Sequence, residues 1–329
     1  MITLDAVYEA QVRVGPHLRR TPLLPSAWLS ERIGADVRLK LESLQISSSF
    51  KVRGALNALM RLAESSRGMP PTIVTASAGN HGRAIAWAAQ RLGLRAVVFT
   101  PKNAPRAKLD PIARHGADLL AIADDYEGAE REALAFAQAT GARFVSPYNH
   151  EDVIAGAGTV ALEVTDEWPD VDQIVVPVGG GGLISGIAVA AKRRTGIGHP
   201  GGSTRPRVIG VEVEASPAFS AARRAGHLVT ITVDTTLADG LGGNVEPGSL
   251  TWEYLRDLVD DVVTVSEAEL RNALRELVAQ DHLIAEGAGI VGVAAVLAGR
   301  VAAAPRTAIV LSGSNIDAGK LASVISSPH

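Results

Sequence analysis

The chain contains no cysteine, which removes disulfides, thiolate zinc sites and a cysteine nucleophile together. Aromatic residues make up only 4% of it, so a core here has to be built from Ala, Val, Leu and Ile. There is no extended run of Lys or Arg, and with a formal net charge of −3 the surface has no electrostatic footprint for a phosphate backbone. Nucleic acid is therefore not an expected partner. No apolar stretch reaches the ~18 residues of a membrane span. The first ten residues, MITLDAVYEA, carry two acids where a signal peptide has a basic and then an apolar run. A cytoplasmic protein without a membrane partner is expected. The eight histidines (17, 81, 115, 150, 199, 227, 282 and 329) include no pair at the i, i+4 spacing of a helical metal site. No metal is expected.

What is present points to an α/β protein. The chain has 329 residues, 47% of them apolar and 33 of them glycine, enough for a large core and two domains. Short β-branched runs alternate with longer Ala/Leu/Arg segments, the pattern of βαβ units and a mainly parallel sheet. Strands are expected at Thr72 to Ala76, Ala96 to Thr100, Gln173 to Val178, Val208 to Val213 and Thr307 to Leu311. Helices are expected at Gly82 to Leu92, Tyr126 to Thr140, Leu183 to Arg194 and Glu267 to Gln280, the last opened by a capping box of Ser266 and Glu269. A Gly- and Pro-rich loop spans Gly196 to Pro206.

Four segments could carry chemistry. In Ser47-Ser-Ser-Phe-Lys-Val-Arg-Gly54, Lys51 is either a solvated surface charge or an amine desolvated beside Phe50 and Val52, whose lowered pKa would suit covalent chemistry with a carbonyl. Thr75-Ala-Ser-Ala-Gly-Asn-His-Gly82 joins a strand to a helix. It reads either as an N-cap at Asn80 with Gly79 making the turn, or as a set of helix-start amides for an anion such as a carboxylate. Pro177-Val-Gly-Gly-Gly-Gly-Leu-Ile-Ser185 lets several N–H groups converge on one phosphate. It lacks the Lys-Ser/Thr of a P-loop, and no Asp or Glu occurs between Leu183 and Val211 to bind a ribose, so a single small phosphate suits it better than a nucleotide. Ile309-Val-Leu-Ser-Gly-Ser-Asn-Ile-Asp317 runs a strand into a polar turn, which is either a plain connection or a ligand contact. Ser77, Gly179 to Gly182 and Ser312 all fall at the carboxyl ends of expected strands, where open α/β sheets gather their ligands.

Taken together, SSSFKVRGA, SAGNHG, PVGGGGLISG, ADGL, Glu286 ahead of Gly and Ala residues, and LSGSNID occur in the order and spacing of one family. From Thr21-Pro22-Leu23 to Asp317 the chain resembles the threonine/serine dehydratases of the fold type II pyridoxal-phosphate enzymes, relatives of the tryptophan synthase β chain. The resemblance implies a two-domain α/β fold, with residues 1–70 and 150–329 as a large cofactor-binding domain and residues 71–149 as a smaller inserted one. It implies pyridoxal 5'-phosphate as cofactor, held covalently by Lys51. Phe50 would lie against the ring, Asn80 would bond its phenolic oxygen, Gly179, Gly180, Gly181 and Gly182 would hold the phosphate, and Ser312 would face the ring nitrogen. Ser77, Ala78, Gly79 and His81 would hold the substrate carboxylate. The implied reaction is removal of water and ammonia from a small β-hydroxy amino acid such as L-threonine or L-serine. A homodimer is implied, and no regulatory domain is expected beyond Asp317.

The sequence departs from the family at three points. Ser48 and Ser314 stand where glycines are usual, and Ser220 occupies the place of an acid that, with the residue matching Glu214, binds a divalent cation in some members. Alternative readings are a serine racemase, a dehydratase of hydroxyaspartate or phenylserine, a non-catalytic amino-acid-binding protein, and an oxidoreductase using Glu212 or Glu214 for a ribose. Ala78 bears on the first. Racemisation needs a second acid on the face opposite the lysine, a serine in the serine racemases of this family, and a methyl group cannot supply it.

Overall fold

The computed structural model describes residues 1–66, 71–194, 205–302 and 304–326. Ten strands succeed one another along these residues: β1 (Leu23–Pro25), β2 (Asp36–Leu41), β3 (Ile73–Ala76), β4 (Ala96–Pro101), β5 (Asp118–Ala123), β6 (Arg143–Phe144), β7 (Gln173–Pro177), β8 (Arg207–Val213), β9 (Asp261–Val265) and β10 (Arg306–Leu311). They form two sheets. The larger has the order β1-β2-β10-β7-β8-β9 and is parallel except for β1, which pairs antiparallel with β2. The smaller, β5-β4-β3-β6, is wholly parallel. All five expected strands form, each end within a residue of its expected place.

A parallel sheet needs cover on both faces, and alternation along the strands of the larger sheet provides for it. Ile174 and Val176 face a cluster with Val160, Ile184 and Ile187, while Val175 faces one with Val291 and Ile309. The helix Lys51–Ser65 packs between the helices Glu151–Glu167 and Asn80–Leu92. Its Leu56 and Leu59 pack with Ile73 of β3 and Ile85 of the helix Asn80–Leu92.

Some expected boundaries move. The helix expected from Gly82 begins at Asn80, with Gly79 as its N-cap, so Asn80 lies inside the helix and its side chain does not cap it. The Ser266–Glu269 capping box forms, but the helix it opens ends at Glu276 and gives way to a π turn, Leu277–Asp281. There Asp281 accepts from Ser26 Oγ (2.9 Å) and Trp28 Nε1 (2.6 Å), long-range bonds that no helical periodicity could foretell. The Gly196 to Pro206 loop lies outside the described residues except for its last two positions. Among the described residues no helix is long and apolar enough to cross a membrane.

Three strand ends assemble the site. Ser77 follows β3, Gly179–Gly182 follow β7 by one residue, and Ser312 follows β10. The start of the lysine helix is stitched to the last of these: Phe50 N donates to Ser312 O (3.0 Å), Ser314 N donates to Ser48 O (2.9 Å), and Ser49 bridges Gly313.

Candidate active site

Lys51 is the first residue of its helix, where the amide dipoles disfavour a second positive charge. Its amine donates to Pro147 O at 2.9 Å, lies 5.1 Å from the centroid of the Phe50 ring and makes no ion pair among the described residues. Burial pushes it down to about 8, with Glu286 pulling it part of the way back. A lysine with this value holds an appreciable fraction of free amine near neutral pH.

Around it runs a polar chain drawn from both sheets. Asn80 Nδ2 donates to Glu286 Oε1 (2.7 Å), Asn315 Nδ2 donates to Asn80 Oδ1 (2.6 Å) and to Ser47 O (3.0 Å), and Arg83 donates to Asn315 Oδ1. Burial raises the Glu286 carboxyl to about 7, against the pull of the Asn80 hydrogen bond. Glu286 N donates to Gly313 O (3.0 Å), and a methyl on Gly313 would collide with the Glu286 carboxylate. The Ser–Gly pair after β10 is thus the floor on which Glu286 rests.

Ser77, Ala78 and Gly79 form the turn between β3 and the helix Asn80–Leu92, with Gly79 N donating to Ser77 Oγ (3.2 Å). Helix-start amides have no intrahelical acceptor, so this turn can take a carboxylate. His81 is the second residue of that helix. Its side chain is buried and its Nε2 pairs with Val145 O (3.1 Å), while burial and the charges of Lys51 and His150 lower its pKa to about 3. The imidazole is neutral and its Nε2 braces the small sheet, while its buried Nδ1 has no partner among the described residues.

The tetraglycine loop shows why three of its four residues lack a side chain. Gly181 sits at φ +87°, and a methyl there would lie 2.9 Å from Phe219 Cζ. A methyl on Gly180 would enter the Tyr148 ring, and one on Gly182 would lie 2.9 Å from Tyr148 Cα. Gly181 caps the helix Gly182–Arg193, whose first amides point into the loop. One turn into that helix, Ser185 Oγ is buried without a partner among the described residues. The loop and the lysine are neighbours through residues 147–148, since Pro147 O holds Lys51 Nζ and Tyr148 lies on Gly180.

Among the described residues no three His, Asp or Glu side chains stand together as metal ligands. Glu212, buried in β8, accepts from Phe219 N (2.7 Å) and Ser220 N (2.8 Å) and so holds the start of the helix Ala218–Ala225. Glu212 is thereby committed and unavailable to a ribose. Glu214 is exposed.

Glu286, Tyr148, Asn315 and the Pro147 carbonyl belong to this site and were not singled out as site residues from sequence. Glu286 had a signal, an unpaired acid between Leu283-Ile284-Ala285 and Gly287-Ala288-Gly289. Tyr148 and Pro147 had none.

Comparison with known proteins agrees with this geometry. A family model described as "Pyridoxal-phosphate dependent enzyme" matches residues 14–313. The L-threonine ammonia-lyase of Thermotoga maritima is 41% identical over 99% of this chain and 78% of its own length. The solved structure of maize serine racemase superposes with a TM-score of 0.88 at 33% identity, covering 98% of this chain and 96% of its own. That of the T.th. threonine deaminase superposes with a TM-score of 0.86, also at 33% identity, over 96% and 99%. The motif order, the parallel sheets and these matches coincide, and the chain belongs to the pyridoxal-phosphate dependent enzymes.

Proposed function

We propose that the protein removes water and ammonia from a small β-hydroxy amino acid, L-threonine foremost and L-serine as a second substrate, leaving a 2-oxo acid. The observation that carries this reading is the part-buried amine of Lys51, lowered to about 8 and set among three strand ends. The residues fit the family's cofactor. The four glycines keep a loop backbone free of side chains and packed closely on Tyr148, Phe219 and Leu241, with helix-start amides and, one turn on, a Ser185 hydroxyl that has no partner among the described residues. Bound there, pyridoxal phosphate supplies an electron sink for the charge left when Cα loses its proton.

The chain's own groups then divide the work. Lys51 Nζ would hold the cofactor and, as a free amine, take the proton from Cα. Gly179 to Gly182 would hold the phosphate, Phe50 would lie against the ring, and Asn80, fixed by Glu286 and Asn315, would bond the phenolic oxygen. Ser312 would offer the ring nitrogen a hydroxyl. Unlike a carboxylate, a hydroxyl leaves that nitrogen largely unprotonated, so charge stays near Cα and favours loss of the β-hydroxyl. The amides from Ser77 to His81 would take the substrate carboxylate. In this reading residues 71–149 and the remainder are two domains that close over the substrate and exclude water, and the enzyme is a cytoplasmic homodimer.

Similarity to a serine racemase favours a second reading. Ala78 argues against it, because its methyl group can neither give nor take a proton on the opposite face of Cα. Incubation with L-threonine, L-serine, 3-hydroxyaspartate and phenylserine, with keto-acid detection and chiral chromatography, tests both readings. Keto acid should form from L-threonine or L-serine much faster than any D-enantiomer, and Ala78→Ser should raise the racemised fraction. D-serine appearing faster than pyruvate would overturn the assignment.

A further inference from the structure

We propose that the helix Glu151–Glu167 is a spacer that sets the distance between the Lys51 amine and the tetraglycine loop, and that Arg53 locks the lysine helix to it. The proposal rests on the assignment of Lys51 and Gly179 to Gly182 to the cofactor. A rigid ligand held covalently at one end and by its phosphate at the other demands that separation; an error of ~1 Å in such an arrangement can cost on the order of 100-fold.

The spacer touches both partners backbone to backbone. On one side a methyl on Gly156 would lie 2.5 Å from Arg53 O and 2.7 Å from Gly54 Cα, and one on Gly54 would lie 2.6 Å from Val153 O. On the other side a methyl on Gly158 would lie 2.8 Å from Gly186 O, and one on Gly186 would lie 2.5 Å from Gly158 N. Gly54 stands three residues after Lys51, and Gly186 lies in the helix that the tetraglycine loop starts. Two residues apart on one helix, Gly156 and Gly158 therefore gauge the lysine helix and the phosphate helix at once. Any side chain at these crossings pushes one end of the site away from the other.

Close contact sets the distance but not the register, and Arg53 supplies that. Its Nε (2.7 Å) and Nη2 (2.9 Å) donate to Glu42, and its Nη1 (2.7 Å) and Nη2 (2.9 Å) donate to Glu163 on the spacer. The remaining Nη1 donor goes to Thr159 Oγ1 (3.1 Å), also on the spacer. A planar guanidinium engaged on all sides can occupy one place only. Arg53, Gly156 and Gly158 are positioning residues: none touches the amine or the loop's phosphate cradle.

The test separates spacing from stability. Full-length apoenzyme is titrated with pyridoxal phosphate and with pyridoxal, which lacks the phosphate. The dissociation constant for pyridoxal divided by that for pyridoxal phosphate measures how well both ends are held together. Gly156→Ala and Arg53→Met should each lower that ratio by about tenfold or more while pyridoxal binding changes by less than about threefold. Arg53→Lys should recover part of it. Gly292→Ala is the control for structural damage alone: its methyl would lie 2.7 Å from Ile309 Cγ2, in the core away from the spacer, and it should leave the ratio unchanged. Should Gly156→Ala not fold, the Arg53 pair carries the test. Parallel weakening of both ligands in the spacer variants, with the ratio intact, would overturn the proposal. Failure of borohydride to fix the cofactor to Lys51 in the wild-type protein would instead sink the assignment on which it rests.

Discussion

Lys51 and Arg53, within one turn of the same helix, occupy opposite electrostatic settings. Around Arg53 the charges are matched: Arg53 and Lys40 face Glu42 and Glu163, all four buried, with Lys40 Nζ 2.6 Å from Glu163 Oε2. Burial alone would raise the Glu163 carboxyl, yet Arg53 and Lys40 hold it below the ordinary carboxylate range. Around Lys51 they are not matched. Its amine has one carbonyl acceptor and a carboxyl, Glu286, that burial has itself raised to about 7. Desolvation makes a rigid joint where it is met by countercharge and a reactive group where it is not.

Deleting one charge from each region should give the largest contrast. Glu163→Gln strips countercharge from Arg53 and Lys40 and should cost about 3–5 kcal/mol. Lys51→Met removes an amine with no ion pair among the described residues and should cost less than about 1 kcal/mol in the apoenzyme, while abolishing covalent capture of the cofactor. Urea unfolding of the two apo variants checks this, and equal losses would break the comparison.

Acid should separate the regions again. The folded pKa of Glu163 is depressed, so its contribution to stability is present above the unfolded carboxylate value and is lost as pH falls through the lower folded one. His81 responds earlier. Its folded pKa is about 3 against 6.5 unfolded, so between those values the unfolded chain binds the extra proton and stability falls by up to about 1.4 kcal/mol per pH unit on acidification. Unfolding curves of His81→Asn should be flatter between pH 6 and pH 4 on the order-of-magnitude scale of that slope, and unchanged curves would remove His81 from the account.

The smallest effect concerns Ser48, whose carbonyl takes the Ser314 amide beside the lysine and whose φ is +56°. A side chain in the left-handed region is strained. Ser48→Gly should gain up to about 1 kcal/mol, since relief of strain is partly offset by the entropy glycine loses on folding. A loss of stability would show that the serine hydroxyl contributes more than its backbone costs.

Local chemistry was legible from the residues alone. The Ser266–Glu269 box, the tetraglycine turn ahead of a helix and the β-branched run of β7 each declare themselves within a dozen residues. What stayed hidden was long-range partnership. Asn80 reads as a cap because the residue that claims its side chain, Glu286, is 206 positions away. Nothing near His81 names Val145 O as the partner of its ring. Arg53 looks like part of the lysine motif, and only the fold brings Glu42 and Glu163 to it. The two-residue strand β6 and the largely exposed β5 carry too little apolar pattern to stand out.

Lys40 and Lys51 give the account its most direct test, because both are lysines drawn below their ordinary pKa by burial and only one is free of an ion pair. Borohydride reduction of the holoenzyme followed by peptide mass mapping should find the cofactor on Lys51 alone, with Lys40 unmodified. The cofactor on Lys40, on any other lysine, or on none would contradict it.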